Sequence, residues 1–304
     1  MKVVIFICEI NNKVGSGHMN RCLAIADYLR KKMRVLPVFL TNNACFEIIY
    51  DKHLTFTKRK KGFYEQIIKH EPELVVFDQH YTTKKLIDQL KENHIKTINL
   101  CYLDPNRERC DISISPIKTE LVKEKNFYEG AKYVMLGKEF YKRRSKIKRR
   151  VKKVLIYSKH KEAEELINKI VNGVNIKKTY VVNKKAGKNQ ISFTEELAKP
   201  LRKHDLAIVP MNHTLFECMA VGIPTIIVSS DKKEELIAKT FSNTDAAIHF
   251  GKYDEIKILK ARKEFRRLCR AVAKRKSLAF VSRTIVNRDA NDNIYEIFRR
   301  ELGR

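Results

Sequence analysis

From its first residues the chain alternates short apolar runs with segments of helical periodicity, and it does so twice over. VVIFICEI (3–10) reads as a buried strand, NNKVGSGH (11–18) as a loop, and MNRCLAIADYLRKK (19–32) as a helix. RVLPVFLT (34–41) reads as a second strand and FYEQIIKHEP (63–72) as a helix ended by Pro72. ELVVFD (73–78) is a third strand, TTKKLIDQLKENH (82–94) a helix and IKTINLCYLD (95–104) a fourth strand. After a basic stretch the pattern restarts with strands at VKKVLIYS (151–158), KKTYVVN (177–183), DLAIVP (205–210), PTIIVSS (224–230) and AAIHF (246–250). Between them lie helical segments KEAEELINKIV (161–171), ISFTEELAKPLRK (191–203), TLFECMAVG (214–222) and EELIAKTFSN (234–243), and residues 254–304 read as a mainly helical tail. Such alternation dictates βαβ units and a parallel sheet in each half. The expected architecture is α/β, two Rossmann-like domains facing a cleft, spanning 1–145 and 151–304, with ligands at the carboxyl ends of the strands.

The length of 304 residues suits two domains of roughly 150 each. The opening apolar run is too short for a signal h-region, and no stretch approaches the roughly 20 apolar residues of a membrane helix. The expectation is therefore a cytoplasmic chain with no membrane span. Seven cysteines (8, 22, 45, 101, 110, 218, 269), without C-x-x-C spacing, fit reduced buried thiols rather than a disulfide framework or zinc site. The formal charge of +28 makes an anionic partner or polyanion plausible. Its densest stretches, 138–153 and 260–276, read either as solvated faces and a linker or as anion-binding surface.

The loop after the first strand carries the chemistry. Gly15 and Gly17 permit close approach of a ligand to backbone. Ser16, Gly17 and His18 would present N–H groups at a helix N-terminus, which favours phosphate or a developing oxyanion. The loop is not G-x-G-x-x-G, so no dinucleotide site follows. An imidazole in that place is biased to its neutral form, which can accept a proton from water; a structural N-cap is the alternative. Asp78 and Asp104 end predicted strands, where either could orient His18 or hold a turn. Arg21, one turn after His18, could pair with phosphate or with a carboxylate, and His80 is expected to face solvent.

VGSGHMNRCLAIADYL (14–29) resembles the signature of the UDP-2,4-diacetamido-2,4,6-trideoxy-β-L-altropyranose hydrolases of pseudaminic acid biosynthesis, MurG-like relatives of the GT-B glycosyltransferases. VVFDQHY (75–81), LDPNRERCDISIS (103–115), GAKYVMLGKEFYKRR (130–144) and TLFECMAVGIPTIIV (214–228) extend the likeness, the last through T-x-x-E-x-x-x-x-G-x-P. The resemblance implies release of UDP by cleavage of the sugar C–O bond with inversion at C1, without metal or other cofactor. His18 would be the base, Tyr81 would position water or sugar, and the backbone of Gly15, Ser16 and Gly17 would face the diphosphate. Thr214 would take a phosphate and Glu217 the ribose hydroxyls; Asn212 and His213, standing where the family has a Gly-Gly loop, are candidate substrate-binding residues of this chain, His213 in place of backbone contacts to the diphosphate.

The second half departs from the pattern. YSKHKE (157–162) and VPMNHT (209–214) replace Gly-Gly loops, SSDKKEE (229–235) replaces an Asn-Gln pair, and NRDANDNIY (287–295) replaces a Gly-containing segment. Side chains there occupy space that backbone–phosphate contact needs. Three readings stay open: a UDP-sugar hydrolase, a GT-B glycosyltransferase in which a hydroxyl acceptor replaces water, and an inactive relative that binds anions or nucleic acid through its charge.

Overall fold

The computed structural model describes residues 1–9, 17–41, 55–58, 63–118, 126–142, 146–182, 187–192 and 197–303. They form two compact units, Met1–Leu136 with Arg288–Arg304, and Gly137–Asn287.

The first unit is built on a seven-stranded sheet, entirely parallel. Its strands are β1 (Lys2–Cys8), β2 (Val35–Thr41), β3 (Thr55–Lys58), β4 (Leu74–Asp78), β5 (Lys96–Asn99), β6 (Ile112–Ser115) and β7 (Phe127–Glu129), ordered 3-2-1-4-5-6-7. The first, central strand is apolar on both faces because both are covered, as parallel sheets require. Val4 and Phe6 pack with Cys22, Ile25 and Leu29 of α1 (Gly17–Lys32). Ile5 and Ile7 pack on the other side with Ile67 of α2 (Phe63–Ile68) and Leu86, Ile87 and Leu90 of α3 (Lys84–Glu92). Thr83 caps α3 by accepting from the Leu86 amide.

The second unit repeats the plan with six parallel strands: β8 (Lys153–Tyr157), β9 (Lys177–Val182), β10 (Gln190–Ser192), β11 (Leu206–Val209), β12 (Thr225–Ser229) and β13 (Ile248–Lys252). They lie in the order 10-9-8-11-12-13, the doubly wound arrangement. The helices are α4 (Lys161–Val171), α5 (Ala198–Lys203), α6 (His213–Val221), α7 (Lys232–Asn243), α8 (Ile258–Arg270) and α9 (Val272–Ile285). Val154 and Ile156 of β8 share a core with Ile167 and Ile170 of α4 and with Phe265 and Leu268 of α8. Gly222 ends α6 in the left-handed conformation, φ 75°, its amide bonded to the carbonyls of Cys218 and Met219.

Four sequence expectations are corrected. The run 95–104 is a strand only to Asn99. There the Asn99 side chain accepts from the Cys101 amide at 2.8 Å and donates to Asp104 at 3.0 Å, turning the chain. In the segment 191–203, Ile191 and Ser192 belong to strand β10 and the described helix spans Ala198–Lys203. The short strands β3 and β7 stand where no element was expected. Finally, the tail does not stay with the second half. Helix α10 (Asp289–Glu301) and Leu302 return to the first unit, where Ile294, Ile297, Phe298 and Leu302 join the core of Val4 and Phe6. That apolar stripe, at helical spacing, is buried against α1 and the turn at 131–133.

Candidate functional site

In each sheet the strand order reverses beside the first strand, between β1 and β4 and between β8 and β11, and carboxyl ends there mark the expected ligand positions. Both candidate sites lie at these places.

In the first unit α1 begins at Gly17, so His18 and Arg21 sit three residues apart on one helical face. Both reach Asp78, the last residue of β4. His18 Nδ1 lies 2.5 Å from Asp78 Oδ1. Arg21 donates through Nε to Oδ2 at 2.7 Å and through Nη2 to Oδ1 at 2.5 Å. A carboxylate only accepts, so Nδ1 carries the hydrogen and Nε2 is left as the acceptor nitrogen of the ring. Asp78 is wholly buried, which by itself raises a carboxyl's pKa, yet Arg21 and then His18 hold it well below the usual carboxylate range. Arg21 is pushed above its ordinary value by the same partner, against its own burial. The pair is thus a buried, bidentate ion pair made through the Nε–Nη2 edge of the guanidinium, and the imidazole is the third member.

Two neighbours complete the setting. The His80 ring stands edge-on to His18 with centroids 5.0 Å apart, and its Nδ1 lies 3.4 Å from Glu9. Burial and the facing His18 lower its pKa, while Glu9 raises it. Cys101 is buried, and burial, with Asp78 nearby, pushes its thiol up to about 12. His80 therefore does not simply face water as expected; its loop folds back onto His18.

The other expected residues divide. Asp104 does not reach His18: it is buried, accepts from the Asn106 amide and the Asn99 side chain at 3.0 Å, and holds the turn after β5. Tyr81 is 61% exposed at the same end of β4. Gly15 and Ser16 lie outside the described residues, and Gly17 is the first residue of α1.

In the second unit Asn212 caps α6 by accepting from the Thr214 amide at 3.0 Å. His213 Nε2 is 3.9 Å from Glu217 Oε1, one turn on. Thr214 Oγ1 and Glu217 Oε2 are buried without a hydrogen-bond partner. Burial, and then the nearby charge of Glu139, push the Glu217 carboxyl up to about 8. In the 157–162 loop, Lys159 Nζ bonds Glu234 at 2.5 Å. Glu9, Glu139 and Cys101 are neighbours of these sites that the sequence does not mark, since Glu9 ends an apolar run and Cys101 lies within one.

The architecture is that of the GT-B class, two Rossmann-like domains in one chain. MurG of Acinetobacter baumannii superposes with a TM-score of 0.70 at 12% identity, over 99% of this chain and 100% of that one. The spinosyn rhamnosyltransferase SpnG, solved with thymidine diphosphate, gives 0.62 at 10% identity, over 98% and 100%. In sequence the chain is similar to the spore coat polysaccharide biosynthesis protein SpsG of Bacillus subtilis (strain 168), 23% identical over 274 residues, 78% of this chain and 80% of that one. No protein-family profile matches. No described helix is long and apolar enough to cross a membrane.

Proposed function

We propose that the chain is a nucleotide-sugar hydrolase of glycan biosynthesis, releasing UDP from a UDP-diacetamido-trideoxyhexose with inversion at C1. The observation that carries this reading is the His18–Asp78 pair at the carboxyl end of β4. With Nδ1–H committed to Asp78, His18 Nε2 takes a proton from water as the water oxygen bonds to C1. The C1–O electron pair departs with UDP. Asp78 keeps the ring in one tautomer and offsets the imidazolium that forms, the service a buried carboxylate gives a catalytic histidine. Arg21 keeps Asp78 ionised. Tyr81, exposed at the end of the same strand, positions water or sugar.

In the second unit, Thr214 and Glu217 have unpaired buried oxygens that phosphate and ribose groups would satisfy. Asn212 and His213 add substrate contacts at the N-terminus of α6, where partial positive charge favours a diphosphate. The SpnG complex supports a nucleoside diphosphate as the ligand class, and the name of SpsG supports the glycan setting.

The test is UDP release from a panel of UDP-2,4-diacetamido-trideoxyhexoses without any acceptor, comparing the native chain with His18→Ala. Release that the variant loses is the expected result. Release that appears only when a hydroxyl acceptor is supplied makes the chain a transferase. No turnover and no calorimetric binding of UDP overturn the reading in favour of an anion-binding relative, whose affinity for polyanions would fall steeply with salt.

A further inference from the structure

His18, His80 and Cys101 come together from three different loops and helix ends, with one donor atom of each within 4.8 Å of the others. This is the one such group among the described residues. Two imidazoles and a thiol are the donor set that zinc prefers, and three protein donors with a fourth position open is a recurrent zinc geometry.

The surroundings point the same way. A metal-bound histidine commonly donates its other ring N–H to a carboxylate, which fixes the tautomer and aims the lone pair. His18 has that arrangement, with Nδ1 on Asp78 at 2.5 Å, and His80 is held to Glu9 through its backbone amide at 3.3 Å, with its Nδ1 facing the same carboxylate at 3.4 Å. With Nδ1 on Asp78, Nε2 is the His18 nitrogen left to the metal. Cys101, 2% exposed, supplies the inner wall, and His80, with 40% of its side chain exposed, forms the open side. Tetrahedral zinc, with Zn–N of about 2.0–2.1 Å and Zn–S of about 2.3 Å, holds its donors about 3.4–3.6 Å apart. The cluster must close by roughly an ångström, which rotation of the half-exposed His80 can provide.

We propose that His18, His80 and Cys101 form a zinc site whose occupation blocks the reaction at His18. On binding, the Cys101 thiol loses its proton to solvent and the cation takes the Nε2 lone pair of His18 and a ring-nitrogen lone pair of His80. A lone pair held by zinc cannot accept a proton from water, so the metal-loaded chain is the resting form and chelation restores the base. The site itself stands on the cluster's geometry, and only the blocking rests on the hydrolase reading.

The experiment titrates the metal-stripped full chain with Co²⁺, followed by competition with Zn²⁺ against a chromogenic chelator. The expected result is one cobalt per chain with a thiolate charge-transfer band that Zn²⁺ bleaches. Cys101→Ser should abolish that band, and Glu9→Gln should weaken zinc binding about 10–100-fold. Circular dichroism checks that Cys101→Ser folds, and His80→Ala, on the open side, provides a second variant that should also lose affinity. No charge-transfer band, or one unchanged in both Cys101→Ser and His80→Ala, overturns the site. Zinc that binds stoichiometrically yet leaves UDP release unchanged overturns the blocking and keeps the site. A chain that releases no UDP at all leaves the spectroscopic test intact, so failure of the reaction and failure of the site are distinguishable.

Discussion

Thr214 Oγ1 and Glu217 Oε2 lie one turn apart on α6, both buried and both without a hydrogen-bond partner. A buried hydroxyl left unpaired costs roughly 1–3 kcal/mol. Replacing Thr214 by valine removes that cost while keeping the shape, so the two properties of the variant should move in opposite directions. Thr214→Val is expected to stabilise the nucleotide-free chain by about 1 kcal/mol in urea and to weaken UDP binding by calorimetry. A variant that loses stability and binds UDP normally would show that the hydroxyl has a structural partner instead.

Glu217 makes the stability of the chain pH-dependent in a stated direction. Its pKa is raised from 4.5 to about 8 in the fold, so the folded state holds a proton that the unfolded chain gives up. The sign is therefore negative: the stability is fully present below about 4.5 and is lost as pH rises toward 8, on the order of 1 kcal/mol per unit. Glu217→Gln, permanently neutral, should flatten this slope in denaturation curves between pH 5 and 8. A slope identical to that of the native chain would mean that the carboxyl is ionised in the fold.

Asp78 serves fold and site together. Asp78→Asn leaves the Arg21 guanidinium buried without its counter-charge, a loss of about 3–5 kcal/mol. It also frees His18 to take the other tautomer, and in comparable histidine–carboxylate pairs that lowers turnover by about 10⁴-fold. Thermal denaturation and UDP release, measured on the same preparation below its melting temperature, separate the two effects.

Tyr81 should behave in the opposite way. With 61% of its surface exposed it contributes little to folding, so Tyr81→Phe is expected within about 0.5 kcal/mol of the native chain. If its hydroxyl positions water, kcat falls while the melting temperature stays. An unchanged kcat assigns that task elsewhere.

At Gly222, φ is 75° and a Cβ would come within 2.5 Å of the Arg283 side chain and 3.4 Å of the Ala279 carbonyl. The left-handed conformation alone costs a non-glycine residue about 1–2 kcal/mol. Gly222→Ala should lower the urea midpoint accordingly, with most of the loss surviving in Gly222→Ala with Arg283→Ala, because the backbone cost remains.

The long apolar runs were legible because a strand covered on both faces leaves little choice of residue, as in Val4 to Ile7 and Leu206 to Val209. The strands β3, β7 and β10, three or four residues each, are too short to show a period and stay silent in the sequence. Of the site, the glycine loop pointed to His18, and the strand end pointed equally to Asp78 and Asp104. Only the fold separates them, since Asn99 and Asn106 claim Asp104 locally. His80 and Cys101 gave no signal, because proximity across β1, β4 and β5 is a property of the sheet order rather than of any one segment.

The return of α10 to the first unit gives the chain a particular order of completion. Synthesis proceeds from the N-terminus, and domains tend to fold as they emerge. Here the core around Val4, Phe6 and Leu29 lacks Ile294, Ile297, Phe298 and Leu302 until every residue of the second unit has been made. The half that is translated first is the half that is finished last. A fragment cut after residue 145 would carry an open apolar groove along α1, and only the late-made helix fills it.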